Sequence, residues 1–91
     1  MDLEELLIRL VPDASKEAVK ICCNLYDEIE TRVMSNDLST EAITIRGYKD
    51  ALQASALLPM DVCLQDSIAG RIQDAEERRS VISLIRGLVT Y

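Results

Sequence analysis

Between Ala14 and Met34, the residues Ala18, Cys22, Leu25, Ile29 and Val33 recur at spacings of four, three, four and four. That period lays one apolar stripe along a helix and is incompatible with the two-residue alternation of a half-buried strand. Ile21 and Tyr26 broaden the stripe, while Lys16, Lys20, Asn24, Asp27 and Glu28 fall away from it. This is the longest predicted element, about 14–34, with Asp13 placed to cap it. Its charged side reads as solvated surface. No strand pattern occurs elsewhere, so the expected fold class is all-α, a small bundle of four to five helices joined by short loops.

The other helices announce themselves by caps and breakers. Asp2 and Glu5 form a capping-box-like start, after which Leu3, Leu6, Leu7 and Leu10 share a face. Pro12 stops that helix, because the residue before a proline is pushed out of the α region. Ser35-Asn36-Asp37 signals a turn, and 38–42 reads as a connector in which Ser39 or Thr40 contacts nearby backbone. After Leu57-Leu58, Pro59 suits the first turn of a helix whose stripe is Met60, Leu64, Ile68 and Ile72, with Cys63 beside it. Gly70 suggests fraying or a close approach. Asp74-Ala75-Glu76-Glu77 opens the last helix with acids where the helix dipole favours them, and Val81, Ile82, Ile85, Leu88 and Val89 form its apolar face. Arg78 falls in the middle of that face, so its stem is expected to cover the core edge while its head pairs with a carboxylate; Arg79 and Arg86 sit outside.

Ninety-one residues make one domain, 1–91, with a single modest core. The chain has no Trp, Phe or His, so the core is aliphatic with Tyr26 and Tyr48 as its large fillers. Without histidine there is no Ser/His or Cys/His nucleophile arrangement. Gly47, Gly70 and Gly87 lie in no phosphate-cradling loop, and the carboxylates do not cluster as a calcium loop would. An independent enzyme is therefore not expected, nor a metal site. Cys22, Cys23 and Cys63 are odd in number and not ligand-spaced; they read as small buried hydrophobes in a reducing cytoplasm. No apolar run reaches the roughly 18 residues of a membrane span, and the acidic opening lacks a signal peptide's cations. The net charge of −6 sits entirely in residues 1–41, which hold 10 acids and 4 bases. That disfavours nucleic acid, whose binding needs cations against phosphate. It serves solubility and is compatible with a basic protein partner.

One stretch departs from good helix design: Ile43-Thr44-Ile45-Arg46-Gly47-Tyr48-Lys49-Asp50-Ala51-Leu52. With Thr44 as N-cap, Arg46 falls in the first turn, where the dipole disfavours a cation by about 0.3–1 kcal/mol. Gly47 beside it costs roughly 1 kcal/mol against Ala. The helix should bury Ile45, Tyr48, Leu52 and Ala56, leaving Arg46, Lys49, Asp50 and Gln53 on the other face. Two readings of Arg46 stand: an exposed i,i+4 pair with Asp50, or a side chain aimed at something outside the domain.

Three segments together resemble the C-terminal helical lid of AAA+ ATPases of the MoxR group, with its CbbQ, NorQ and GvpN relatives. Leu3-Glu4-Glu5-Leu6-Leu7-Ile8, followed by a proline and a long helix, is similar to the segment leaving the nucleotide-binding core. The run from Leu38 to Leu52 resembles the family's Ser/Thr-x-Arg helix start. Ile72 to Arg79 with the Val81 to Ile85 run resembles the closing helix. The resemblance implies that Arg46 occupies the place of the sensor-2 arginine, which reaches the nucleotide's phosphates from the lid. It also implies that the chain is a lid excised from its core, neither hydrolysing ATP alone nor binding it more than weakly. ATP and Mg would belong to the parent protein, a cytoplasmic chaperone-like remodelling machine. The partners implied are that core and the neighbouring subunits of a ring, with a protein substrate or adaptor beyond them.

Two other expectations compete with this one. The chain could be a free-standing acidic helical module that holds a protein partner. It could also be a helix-turn-helix DNA binder with 44–57 as recognition helix, which its charge disfavours.

Overall fold

The computed structural model describes residues 3–35 and 45–89. Five α-helices run in order: α1 Leu3–Leu10, α2 Lys16–Met34, α3 Ile45–Ala54, α4 Met60–Ser67 and α5 Ala75–Val89, with a 3₁₀ turn at Ala69–Arg71 between the last two. Every regular element among the described residues is helical, as the period-3.6 patterning requires. The most extensive packing is α3 on α4; α2 packs on α5 and α1, and α4 on α5. Asp2, the Ser39/Thr40 connector and the Thr44 cap lie outside the described residues.

The core follows the predicted stripes closely. Leu7, Ala18, Cys22, Leu25, Ile29, Tyr48, Leu52, Leu64, Ile68, Ile72, Val81 and Ile85 are buried. No charged or polar residue among the described ones is. Filling this interior with branched aliphatics and one tyrosine puts nearly all its cohesion in apolar burial, at roughly 25 cal/mol per Å² removed from water.

The helix starts are chosen by hydrogen-bond acceptors. Ser15, with φ −67° and ψ 152°, caps α2, its Oγ accepting the Ala18 N–H at 3.1 Å. Asp13, the expected cap, lies two residues too early: the Ala14 N–H donates to the Val11 carbonyl at 3.1 Å and closes a turn there. Pro59 is the N-cap of α4 rather than its first helical residue, with φ −57° and ψ 145°. Asp74 caps α5 as expected, its Oδ1 accepting the Glu76 and Glu77 N–H groups at 2.8 and 3.1 Å.

Burial expectations fail at the end of α1, where Leu10 is exposed, at Cys23, which is half-buried, and at both ends of α3. Ile45 is 42% exposed at its first turn. Ala56 is exposed because the helix stops at Ala54, where the Ser55 hydroxyl donates to the Leu52 carbonyl at 2.6 Å. The stripe from Met60 to Ile72 is likewise not one helix. α4 ends at Ser67, and the 3₁₀ turn carries the chain on so that Ile72 is still buried.

Candidate functional site

Arg46 is the second residue of α3, in a first turn that holds no acid. It is exposed. Its outward setting is fixed from the opposite side of the same helix. Tyr48 comes two residues later, about 200° round the axis, and is fully buried. Its ring meets that of Tyr26 edge-on, with centroids 6.1 Å apart and planes at 68°. An edge-to-face pair of this kind adds about 0.5–1.5 kcal/mol to the burial itself. The ring pair therefore pins the rotation of α3 against α2. Gly47 between them is buried as well, so the packed side of the helix begins immediately after Arg46.

The Tyr48 hydroxyl is buried without a hydrogen-bond partner among the described residues. Burial, with the nearby Cys22 thiol a smaller cause, pushes its pKa well above the usual phenol range. Tyr48 is thus held neutral, as a wedge and not as an acid or base.

The i,i+4 partner expected for Arg46 is engaged elsewhere. Arg71, in the 3₁₀ turn, donates from Nη2 to Asp50 Oδ2 at 2.5 Å. No carboxylate among the described residues pairs with Arg46. Nothing in the sequence pattern points to the Asp50–Arg71 pair, which spans 21 positions and depends on how α3 and the 3₁₀ turn meet.

Arg78 takes the structural part expected of it, with a different partner. Its Nε and Nη2 donate to the Ile72 carbonyl at 3.1 and 2.9 Å, and Nη2 also reaches the Gln73 carbonyl at 3.4 Å. It clasps the strand-like entry to α5 instead of meeting a carboxylate.

Cys22 and Cys63 are buried free thiols and Cys23 is half-buried. Burial, with the neighbouring Cys23 and Cys63 thiols adding to it, pushes Cys22 up to about 12. Burial also raises Cys63, whose S–H donates to the Leu58 carbonyl at 3.7 Å. Thiols so protonated are poor nucleophiles. Among the described residues no three His, Cys, Asp or Glu side chains converge as a metal would need. No helix among the described residues is long and apolar enough to cross a membrane.

Chemically, then, α3 offers one outward guanidinium with no acid beside it in the first turn. Such a group suits the edge of an anionic ligand held by another body; it does not by itself build a pocket for one. Compared with known proteins, the chain matches no family model, no curated protein and no solved structure.

Proposed function

We propose that this chain is the C-terminal lid of a MoxR-type AAA+ ATPase and that Arg46 serves nucleotide sensing in the assembled protein. The reading starts from the resemblance of the three segments. The observation that carries it further is the setting of Arg46: exposed at a helix start, with the Asp50 carboxylate drawn off by Arg71. A guanidinium kept out of an intrahelical pair retains its fork for two phosphate oxygens. Its role would be to neutralise charge developing on the terminal phosphate, while ATP and Mg are held by the nucleotide-binding core. Among the described residues Arg46 could touch phosphate from the lid side, while Mg would rest with the core. The Tyr48–Tyr26 contact would pass any movement of Arg46 to α2, and so to a neighbouring subunit of a cytoplasmic, chaperone-like ring.

A second reading, an acidic helical interaction module, draws support from the exposed Leu57 and Leu58 beside α4. One experiment separates the two. The coding sequence upstream of Met1 is read, and the intact mass of the native protein is measured from its source cells. A polypeptide continuing upstream into a phosphate loop and Mg-binding acids is the expected result. A native species of this length, with no nucleotide-binding chain co-purifying, would sink the lid reading.

A further inference from the structure

The turn joining α1 to α2 and the far end of α3 enclose a trough that the reading of Arg46 does not use. Its larger cavity, about 460 Å³, is lined by Leu10, Val11, Pro12, Asp13, Leu52 and Ala56, among others. A smaller cavity of about 150 Å³ is lined by Glu17, Ala18, Ile21 and Met60. Ser15 and Ser55 line both, so the two lie side by side. The larger volume lies within the roughly 300–1,000 Å³ of ordinary ligand pockets.

Its chemistry is lopsided. The lining mixes apolar Leu10, Pro12 and Ala56 with Ser15, Gln53 and Ser55, and its charged residues are Asp13 and Glu17, both exposed; no Lys or Arg lines either cavity. Neither carboxylate has a cationic partner among the described residues. Ser15 Oγ accepts from the Ala18 N–H and the Ser55 hydroxyl donates to the Leu52 carbonyl, so each serine keeps one hydrogen-bonding capacity, and the exposed Gln53 amide adds neutral polar surface. The charged part of the lining is the two carboxylates. Leu10, 39% exposed at the lip, adds apolar surface.

We propose that this trough docks a short cationic amphipathic segment of a partner protein. One or two of its large apolar side chains would lie over Leu10, Pro12 and Ala56, which are exposed, with Lys or Arg beside Asp13 and Glu17. The charge pattern selects this occupant. A second copy of the chain would bring another net −6 to the contact, and self-repulsion opposes that. An anionic surface would meet the same two carboxylates. The proposal is independent of the lid reading and survives if that reading fails.

The test is a titration of the isotope-labelled full chain, followed by amide chemical shifts, with a short amphipathic Leu/Lys peptide and a Leu/Glu peptide of the same spacing. The Leu/Lys peptide is expected to shift amides in 10–18 and 52–56, and the Leu/Glu peptide to shift none. Ala56→Trp fills the larger cavity from an exposed position beyond α3 and should weaken binding by about tenfold or more. Asp13→Lys with Glu17→Lys should weaken it by roughly tenfold and flatten its salt dependence. Circular dichroism establishes that each variant is folded. Equal binding of the Leu/Glu peptide overturns the proposal. So do shifts centred on Asp27 and Glu28 that ignore Ala56→Trp, since charge alone would explain them. Trough shifts that follow protein concentration without peptide also overturn it, by assigning the surface to a second copy.

Discussion

The Arg71 guanidinium holds the Asp50 carboxylate across the junction between α3 and the 3₁₀ turn, at 2.5 Å and 21 positions away in sequence. The two side chains are 43% and 36% exposed. Water and salt screen a pair in that setting, so a short distance does not imply a large energy. A double-mutant cycle on Asp50→Asn and Arg71→Gln is expected to give a coupling of about 0.2–1 kcal/mol. Raising the salt to molar levels should shrink it. A coupling well above that range would mean the pair is far less hydrated than its exposure indicates.

Arg78 is the more consequential guanidinium for stability. It makes two contacts to the Ile72 carbonyl, next to a buried Ile72 side chain, where the chain leaves the 3₁₀ turn for α5. Arg78→Ala removes charge-assisted hydrogen bonds at a half-buried site and should cost about 1–3 kcal/mol. Arg78→Lys keeps the charge but cannot bring two donors in one plane to that oxygen, so it should recover only part of the loss. The measure is the urea midpoint at constant m-value.

How far the sequence could be read is visible at particular residues. The apolar periods located the helices because burial follows the helical repeat, and Leu25, Ile29, Leu52, Val81 and Ile85 are buried accordingly. Asp74 was legible as a cap because its acceptor stands immediately before an acidic first turn. The start of α2 was not, because Asp13 and Ser15 are both good caps and a turn through Ala14 decides between them. The pattern also ran α3 past Ala54 to Ala56, since alanines and a serine carry no stop signal of their own. At the candidate site, the outward placement of Arg46 followed from its angle to Tyr48. The diversion of Asp50 to Arg71 did not, because contacts between elements leave no local trace. The α2 start supplies its own check: Ser15→Ala should cost about 1 kcal/mol and Asp13→Ala less than about 0.5. Reversal of that order in thermal or urea unfolding would return the cap to Asp13.

The buried thiol of Cys22 gives the fold an alkaline limit. Its pKa rises from the ordinary 9.0 to about 12 in the folded chain. Between those values the unfolded chain has lost the proton and the folded chain has kept it. The unfolded state therefore binds fewer protons, and stability falls as pH increases. The contribution is complete below pH 9.0 and is gone once pH passes about 12. The slope expected from this one group is on the order of 1 kcal/mol per pH unit. Urea unfolding followed from pH 8 upward should show the decline, and Cys22→Ala should make it shallower, leaving the part that the raised Cys63 thiol and Tyr48 phenol contribute. At pH 8 the native protein should alkylate slowly at Cys22 and Cys63, at a rate set by opening of the fold. Rapid labelling of Cys22 in folded protein would contradict its burial.

Arg46 is the residue on which stability and function should part company. It is exposed and sits in a first turn where the helix dipole opposes a cation. Removing it should therefore leave the domain as stable as before or steadier by a few tenths of a kcal/mol. Arg46→Ala is expected to unfold at the same urea concentration as the parent chain or a slightly higher one. In the assembled ATPase proposed for it, the same change should lower the rate of hydrolysis more than it weakens nucleotide binding, as loss of a contact made chiefly in the transition state does. Arg46→Lys should rescue only part of the rate, because an ammonium cannot fork across two phosphate oxygens. A variant equally stable and undiminished in turnover would remove Arg46 from the mechanism. A variant that unfolds readily would show that the guanidinium belongs to the fold instead.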